Sequence, residues 1–207
     1  MTTTSAPPRR RAVQARSRAT VERILASAAQ LVAERGPDAV TMTEIAHRAE
    51  VVIGALYQYF PDKAGVMAAL FERHNAAVRA MLLDALQGAD SVQALVGRVD
   101  AVLGRYFTLH REDPQFRGIW AAVQTDPALQ ALDVADSLRN AEILFKVARP
   151  FYRQVDDDQL MAACALSMQL ALAAARFAIA IPEPMSSLSA KVFSRMVKDA
   201  FLALEQG

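Results

Sequence analysis

Four side chains with hydrogen-bonding groups stand close together between residues 57 and 63. Tyr57 and Tyr59 carry phenolic hydroxyls, Gln58 carries an amide, and Lys63 carries an ammonium group. Hydroxyl and ammonium groups suit phosphate oxygens, and an amide can make a paired hydrogen bond to the edge of an adenine base. This combination of residue types predicts a surface that contacts nucleic acid.

A short helix is needed to present these groups. Leu56 and Phe60 lie four residues apart, so they share one helical face and can anchor the helix from behind. Pro61 ends the helix. The residues left to project outward are Ile53, Ala55, Tyr57, Gln58 and Tyr59. The alternative is that the two tyrosines only pack against neighbouring helices.

Two further helices are predicted ahead of this one. Apolar residues from Val21 to Val32 recur at helical spacing, and Gly36-Pro37 stops that first helix. Thr41 and Glu44 are spaced as a capping box, which starts a short second helix. A supporting helix followed by two short helices is the arrangement of a helix-turn-helix, whose last helix enters the major groove of DNA.

Helical periodicity continues along the rest of the chain, and no stretch alternates apolar and polar residues as a half-buried strand does. The fold is therefore predicted to be all-α, with about nine helices. The predicted N-caps of the later helices are Asp62, Asp90, Asp113, Asp126 and Asp156.

The predicted organisation has three parts. Residues 1–15 form a disordered basic arm, residues 16–63 the three-helix helix-turn-helix domain, and residues 64–207 a larger helical bundle. Within the bundle, residues 64–87 form a helix that connects the two domains.

Charge supports a local rather than a global attraction to DNA. The whole chain carries a formal net charge of +1, yet its first 63 residues hold 9 basic against 6 acidic residues. Five arginines precede the first acidic residue, Glu22. The arginine arm has two interpretations: it contacts the adjacent minor groove, or it is a solubilising tail.

Composition also bounds the compartment. The single cysteine, Cys164, excludes an internal disulfide and suits a reducing cytoplasm. The segment from Leu160 to Ile181 approaches the length of a membrane span, but it contains Gln169 and Arg176. We therefore expect a buried helix there and no membrane partner.

From Val21 to Lys63 the sequence closely resembles the DNA-binding domain of the tetracycline-repressor (TetR) family. The resemblance rests on the apolar first helix, Gly36, Thr41, Ile45-Ala46 and the segment GALYQYFPDK. It covers about the first 80 residues and is architectural beyond them. It implies a cytoplasmic, ligand-responsive repressor that binds a palindromic operator as a homodimer and is released by a small, apolar effector.

The resemblance also assigns roles to individual residues. It gives backbone-positioning roles to Thr43, Tyr57, Tyr59 and Lys63, and base-reading roles to Ile53, Ala55 and Gln58. Thr41, Val52 and Gly54 complete the expected DNA-binding set.

The turn before the recognition helix departs from the family pattern. Family members usually have Gly, Val and Ser where this chain has Glu50, Val51 and Val52. A non-glycine residue at positive φ costs about 1 kcal/mol, and replacing a Ser cap costs roughly 0.5–2 kcal/mol. These substitutions predict weaker operator binding or an altered turn; the alternative is that the turn tolerates them.

The second domain is expected to hold the dimer interface and the effector. The last two helices are predicted to form a four-helix bundle with their copies, as relatives do, or else to be monomer core. The interface residues we expect are Leu166, Leu170, Ala173, Phe193, Val197 and Phe201. The candidate effector-binding residues, each with plain core packing as the alternative, are Phe107, His110, Trp120, Phe145, Met168 and Phe177. Arg176 could meet a ligand acid group, although we favour a pair with Asp133 or Asp136.

Enzymatic chemistry is not predicted. The sequence has no glycine-rich phosphate loop, nucleophile elbow or metal-ligand spacing, so we expect no catalysis, metal or cofactor. The alternative function is a dimeric ligand-binding or protein-interaction module in which Glu50 and Val52 have weakened or abolished operator binding.

Overall fold

The computed structural model describes residues 8–206, with side chains from 12 to 205, and this part of the chain forms nine helices and no strand. The all-α prediction is confirmed. The helices are α1 (Pro8–Arg35), α2 (Met42–Arg48), α3 (Ile53–Tyr59), α4 (Lys63–Leu86), α5 (Val92–Glu112), α6 (Pro114–Thr125), α7 (Pro127–Ala148), α8 (Asp157–Ala180) and α9 (Met185–Gln206).

Most helices begin where a side chain caps the first turn. Thr41 and Glu44 make both hydrogen bonds of the capping box at α2. The other predicted caps that the structure shows are Asp62, Asp113, Asp126 and Asp156. The prediction of Asp90 was wrong, because the Ser91 hydroxyl accepts the first-turn N–H of Ala94 at 3.2 Å.

The start of α1 corrects the predicted arm. Residues 8–15 are helical rather than disordered, and residues 1–7 lie outside the described part of the chain. Pro8 occupies the first helical position, and the residues that follow are mainly Arg, Ala and Gln, which favour helix. The helix therefore extends well ahead of its apolar face.

The buried apolar side chains form two clusters, and α4 passes through both. Val66, Met67, Leu70 and Phe71 in its first half pack with α1, α2 and α3. Leu82 and Leu86 in its second half pack with α5, α7, α8 and α9. Helix α4 is therefore shared by the two clusters.

Helix α6 also joins the first cluster, so the N-terminal core extends beyond residue 63. Ile119 and Trp120 of α6 are buried together with residues of α1. A side chain at Gly118 would place its Cβ 2.4 Å from Val32 Cγ1 and 2.8 Å from the Val32 carbonyl oxygen. Glycine is required there because α6 lies directly on the backbone of α1.

Helix α8 is long and apolar enough to span a membrane by length and composition alone, and 33% of its most apolar stretch is buried inside the fold. Both Gln169 and Arg176 of this helix make hydrogen bonds to neighbouring helices. One such helix is weak support for a membrane role.

Candidate nucleic-acid interface and ligand cavity

Helix α3 is held from behind, as its sequence predicts. Leu56 is fully buried and Phe60 nearly so, both in the cluster formed with α1, α2 and α4. On the opposite side, Val52 is 76% exposed, Ile53 40% and Tyr57 50%. An exposed helix of two turns with apolar anchors behind it can enter a groove of DNA without disturbing the core.

Two residues of α3 are less exposed than expected. Ala55 is half-buried, and Tyr59 is half-buried against the first cluster. The expectation that both project freely was wrong, because residues 55, 56 and 59 lie within one turn on the side that faces the core. The fully outward set on this helix is Val52, Ile53, Gly54, Tyr57 and Gln58.

The ammonium group of Lys63 is hydrogen-bonded within the protein rather than free to bind phosphate. Its Nζ donates to the Pro37 carbonyl oxygen at 3.0 Å and to the Asp38 carbonyl oxygen at 3.4 Å. These bonds tie the start of α4 to the loop between α1 and α2. A phosphate role for Lys63 would require the ammonium group to exchange or share these partners.

The hydroxyl of Thr41 is likewise occupied. It donates to Glu44 Oε2 at 2.8 Å and accepts the Glu44 N–H at 3.3 Å. Together with Arg35, which donates to Glu44 Oε1 at 2.8 Å, these bonds lower the pKa of Glu44 to about 2. Thr43, the second residue of α2, is exposed and so remains the freer of the two threonines.

The turn between α2 and α3 adopts a backbone geometry that is unfavourable for the residues it contains. Glu50 has φ +54°, the left-handed region in which glycine is favoured. Val52 occupies the N-cap of α3, and no side-chain hydrogen bond closes that end. Glu50 thus holds the positive φ that a turn glycine usually serves, at a cost to a residue with a Cβ.

A cavity in the second domain lies between α4, α5, α7 and α8. Its volume is about 50 Å³, little more than the share of liquid occupied by one or two water molecules. One wall is apolar and includes Met168. The polar lining residues are Asn75, Tyr106, Asp133, Asp136, Ser137 and Asn140.

The six residues expected to bind an effector do not gather around this cavity. Met168 alone among them lines it. Trp120 and Phe177 line an open groove between α6 and α8, and Phe107 lines another between α5 and α9. Phe145 is half-buried in the second apolar cluster.

His110 belongs to a packed aromatic cluster instead. It is fully buried, its Nδ1 donates to the Tyr106 carbonyl oxygen at 2.6 Å, and its ring contacts His74 and Phe116. Burial lowers the pKa of His110 to about 3 and that of His74 to about 4. Both imidazoles lie where α4, α5 and α6 meet, and both are therefore neutral at pH 7.

The favoured pairing of Arg176 was wrong. Its guanidinium donates to Gln124 Oε1 at 2.8 Å and lies 5.2 Å from the centre of the Trp120 ring. Asp136 bonds to Arg79 and Arg139 instead, and Asp133 accepts from Gln169 at 3.0 Å. The indole face and the amide of α6 were closer partners than either aspartate of α7.

The polar lining of the cavity was missed by sequence reasoning, although a signal existed. Asp133, Ser137 and Asn140 follow Leu129 and precede Leu144 at steps of three or four residues. They thus continue the inward stripe of α7, where apolar residues are expected. Polar residues on a buried stripe indicate an internal polar site.

The expected interface residues of α9 were also partly wrong. Val197 and Phe201 are buried within the subunit, with Phe201 only 1% exposed, and Phe193 is half-buried beside them. The exposed apolar residues of α9 are Met185, Leu188, Val192 and Met196. On α8 the expected Leu166, Leu170 and Ala173 are exposed, and Phe177 continues their line.

The fold and the two sites together define a class of protein. An N-terminal helix-turn-helix presents its last helix to solvent, and a larger helical domain with an internal cavity shares α4 with it. This is the architecture of a DNA-binding transcriptional regulator with its sensor domain in the same chain.

Comparison with known proteins gives the family. The profile described as "Bacterial regulatory proteins, tetR family" matches residues 24–70, and that of "Tetracyclin repressor-like, C-terminal domain" matches residues 93–185. The chain belongs to the TetR family of transcriptional regulators. Together the two profiles therefore cover the helix-turn-helix and most of the second domain.

Individual relatives are similar over different extents. An uncharacterised HTH-type transcriptional regulator of Mycobacterium bovis is 42% identical over 84 residues, which cover 40% of this chain and 42% of that protein. The chain thus matches less than half the length of that relative. The HTH-type transcriptional repressor NemR of Escherichia coli is 28% identical over 122 residues, or 59% of each chain.

Among solved structures, SmeT, the repressor of the Stenotrophomonas maltophilia multidrug efflux pump SmeDEF, has a TM-score of 0.66 to this chain. The two are 25% identical, and the match covers 88% of each. SmeT has also been solved in complex with triclosan.

Proposed function

We propose that this protein is a cytoplasmic, dimeric transcriptional repressor that releases its operator when a small molecule enters the cavity between α4, α5, α7 and α8. The observation that carries the proposal is the exposed face of α3, which Leu56 and Phe60 anchor from behind. Tyr57 and Gln58 on that face are suited to phosphate and base contacts.

Two recognition helices are needed for useful affinity. A single two-turn helix makes few contacts, whereas a dimer reads two half-sites about 34 Å apart. The exposed apolar residues of α8 and α9 supply a surface for the second copy, since large exposed apolar patches mark interaction sites. NemR and SmeT, both named as repressors, support the repressor assignment.

The dimer surface can be tested with matched substitutions. Leu170→Asp on α8 and Met196→Asp on α9 should shift the protein from dimer to monomer in sedimentation velocity. Leu83, on α4, is exposed to a similar extent as Leu170, at 50% against 49%. Leu83→Asp should leave the dimer intact, and a monomeric wild type or a dimer unaffected by both interface changes would contradict the proposed surface.

Coupling between effector and DNA follows from α4. Leu82, in its second half, lines the cavity, whereas Val66 and Leu70 in its first half lie in the core that carries α3. A ligand that enlarges the cavity must displace this wall. That displacement changes the spacing of the two recognition helices.

Operator binding is tested by titrating purified dimer against the DNA upstream of its own gene in an electrophoretic mobility assay. We expect a discrete, salt-sensitive complex that competitor DNA of unrelated sequence removes only at large excess. No complex even at low salt would contradict the proposal.

That negative result would favour the second candidate, a ligand-binding or protein-interaction module without operator binding. Its specific support is the turn before α3, where Glu50 adopts φ +54° and Val52 leaves the helix uncapped. Glu50 also adds a negative charge beside the recognition helix. A small molecule that binds the dimer when no DNA complex forms would establish this candidate.

A further inference from the structure

The walls of the cavity differ in chemistry. Leu82, Val102, Leu103, Met168 and Leu172 form the apolar side. The side contributed by α7, with Asn75 of α4 and Tyr106 of α5, is polar and contains two carboxylates. An occupant with one apolar end and one polar end matches this division. It matches better than the apolar effector that the resemblance implies.

The first carboxylate, Asp136, is already neutralised. Arg79 forms a close ion pair with its Oδ1, and Arg139 lies 3.4 Å from the same oxygen. Asn140 Nδ2 donates to Oδ2 at 3.0 Å. With two cations and an amide as partners, Asp136 has no need of a ligand.

The second carboxylate, Asp133, lacks such compensation. It is 8% exposed, and its Oδ2 accepts from Gln169 Nε2 at 3.0 Å. Among the described residues no cation forms a salt bridge with it. Burial raises the pKa of Asp133 above its ordinary value, although the bond from Gln169 and the charge of Arg176, whose guanidinium bonds to Gln124, act in the opposite direction. A buried carboxylate without a directly paired cation is costly unless something brings one.

The polar side of the cavity holds a further acceptor, two helical turns along α7 from Asp133. The carboxylate of Asp136 can only accept, so the bond from Asn140 Nδ2 fixes which way that amide faces. Asn140 Oδ1 is then an acceptor with no partner among the described residues, although Asn140 is 7% exposed. Asn75 of α4, on the same polar side, also holds a buried amide nitrogen, Nδ2, without a partner among the described residues. Buried amide atoms left unsatisfied are rare in folded proteins.

We propose that the cavity takes a protonated organic amine with an apolar body, whose ammonium group donates hydrogen bonds to Asp133. The apolar body lies against Met168, Leu103 and Leu172. Because the cavity holds only about 50 Å³, side chains on its wall must move to admit the ligand, and Met168 has a flexible thioether side chain that changes rotamer readily. The role of such an amine as effector rests on the proposed repressor function; its binding does not.

The test uses three probes with one hydrocarbon chain and different head groups: octylamine, 1-octanol and octanoate. Their affinities for the full-length dimer are measured by isothermal titration calorimetry at pH 7. We expect octylamine to bind at least about tenfold more tightly than 1-octanol, because hydrogen bonds to a charged group are stronger than neutral ones by an energy that corresponds to about tenfold in affinity. Octanoate should bind most weakly.

Asp133→Asn should reduce the advantage of octylamine over 1-octanol to within about threefold while leaving 1-octanol affinity unchanged. Burial already disfavours the charge of Asp133, so the neutral amide should not impair folding. The matched control is Asp158→Asn, which removes an exposed carboxylate from the first turn of α8 and should change none of the affinities.

Equal affinities for octylamine and 1-octanol, no binding of octylamine, or an amine preference that survives Asp133→Asn would overturn the inference. The head-group series on the wild-type protein decides the matter even if the variant fails to fold. A mobility assay with each probe separates the two proposals. Operator release by octanoate or 1-octanol alone refutes the amine, whereas amine binding through Asp133 by a dimer that ignores operator DNA refutes the repressor.

Discussion

Glycine at position 50 should stabilise this protein, because Glu50 holds φ +54° in the turn before the recognition helix. An L-residue in the left-handed region costs roughly 1–2 kcal/mol, and the greater freedom of glycine in the unfolded chain offsets about 0.5–1 kcal/mol of that. The expected gain in unfolding free energy is therefore about 0.5–1 kcal/mol, or a rise in Tm of about 1–4 °C for a chain of this size.

Two further variants separate backbone strain from charge. Glu50→Ala removes the carboxylate but keeps a Cβ, so its stability should stay close to that of the wild type. Glu50→Asn keeps a side chain that tolerates positive φ and should fall between alanine and glycine. All are compared by urea unfolding at one protein concentration, since the stability of the proposed dimer would depend on concentration. Equal gains from alanine and glycine would refute the strain argument.

The same variants report on operator affinity. If the carboxylate weakens DNA binding through repulsion of phosphates, both Glu50→Ala and Glu50→Gly bind more tightly and with a changed salt dependence. If turn geometry is responsible, only Glu50→Gly gains. Val52→Ser adds a cap at the first turn of α3 and should gain further stability.

Three other consequences follow from the structure. Gly118→Ala should cost about 1–3 kcal/mol of unfolding free energy, because its Cβ would lie 2.4 Å from a valine methyl of α1, whereas Gly104→Ala, with nothing within 4 Å, should be neutral or stabilising in urea melts. Because the pKa values of His74 and His110 are lowered in the folded state, the unfolded chain binds more protons than the folded one as the pH falls toward 5. The free energy of unfolding should therefore fall between pH 7 and pH 5 by on the order of 2 kcal/mol for each histidine. A free energy of unfolding that rises toward pH 5 would contradict this. Burial raises the pKa of the Cys164 thiol to about 12, so it should react with a disulfide reagent only after unfolding, and labelling of the native protein at the rate of a free thiol would be the contrary result.

Local signals predicted most of the helix boundaries. Caps such as Asp113 and Asp126, each followed by proline, act through the first turn and need no knowledge of the rest of the fold. Ser91 replaced Asp90 as a cap because two adjacent residues can serve and the loop geometry selects between them. The packing of α6 on α1 is long-range, and only Gly118 marks it in the sequence.

The sites divide in the same way. The anchoring of α3 by Leu56 was predictable because the buried and the outward residues all lie within one short stretch of sequence. For α9, apolar residues lie on two faces, and periodicity alone does not distinguish the face that meets its own subunit, with Phe201, from the face that carries Met196. Arg176 has several acceptors within reach of its long side chain, so its partner Gln124 depended on tertiary geometry.

Recognition of DNA by the outward face of α3 is tested most directly at Gln58. In a titration of the purified protein against its upstream DNA, Gln58→Ala should lower affinity by about 5- to 150-fold, the ratio for a paired base contact. The control Gln93→Ala alters an amide on α5 that is also exposed, and this variant should bind as the parent does. Equal affinities for the two variants would contradict the account.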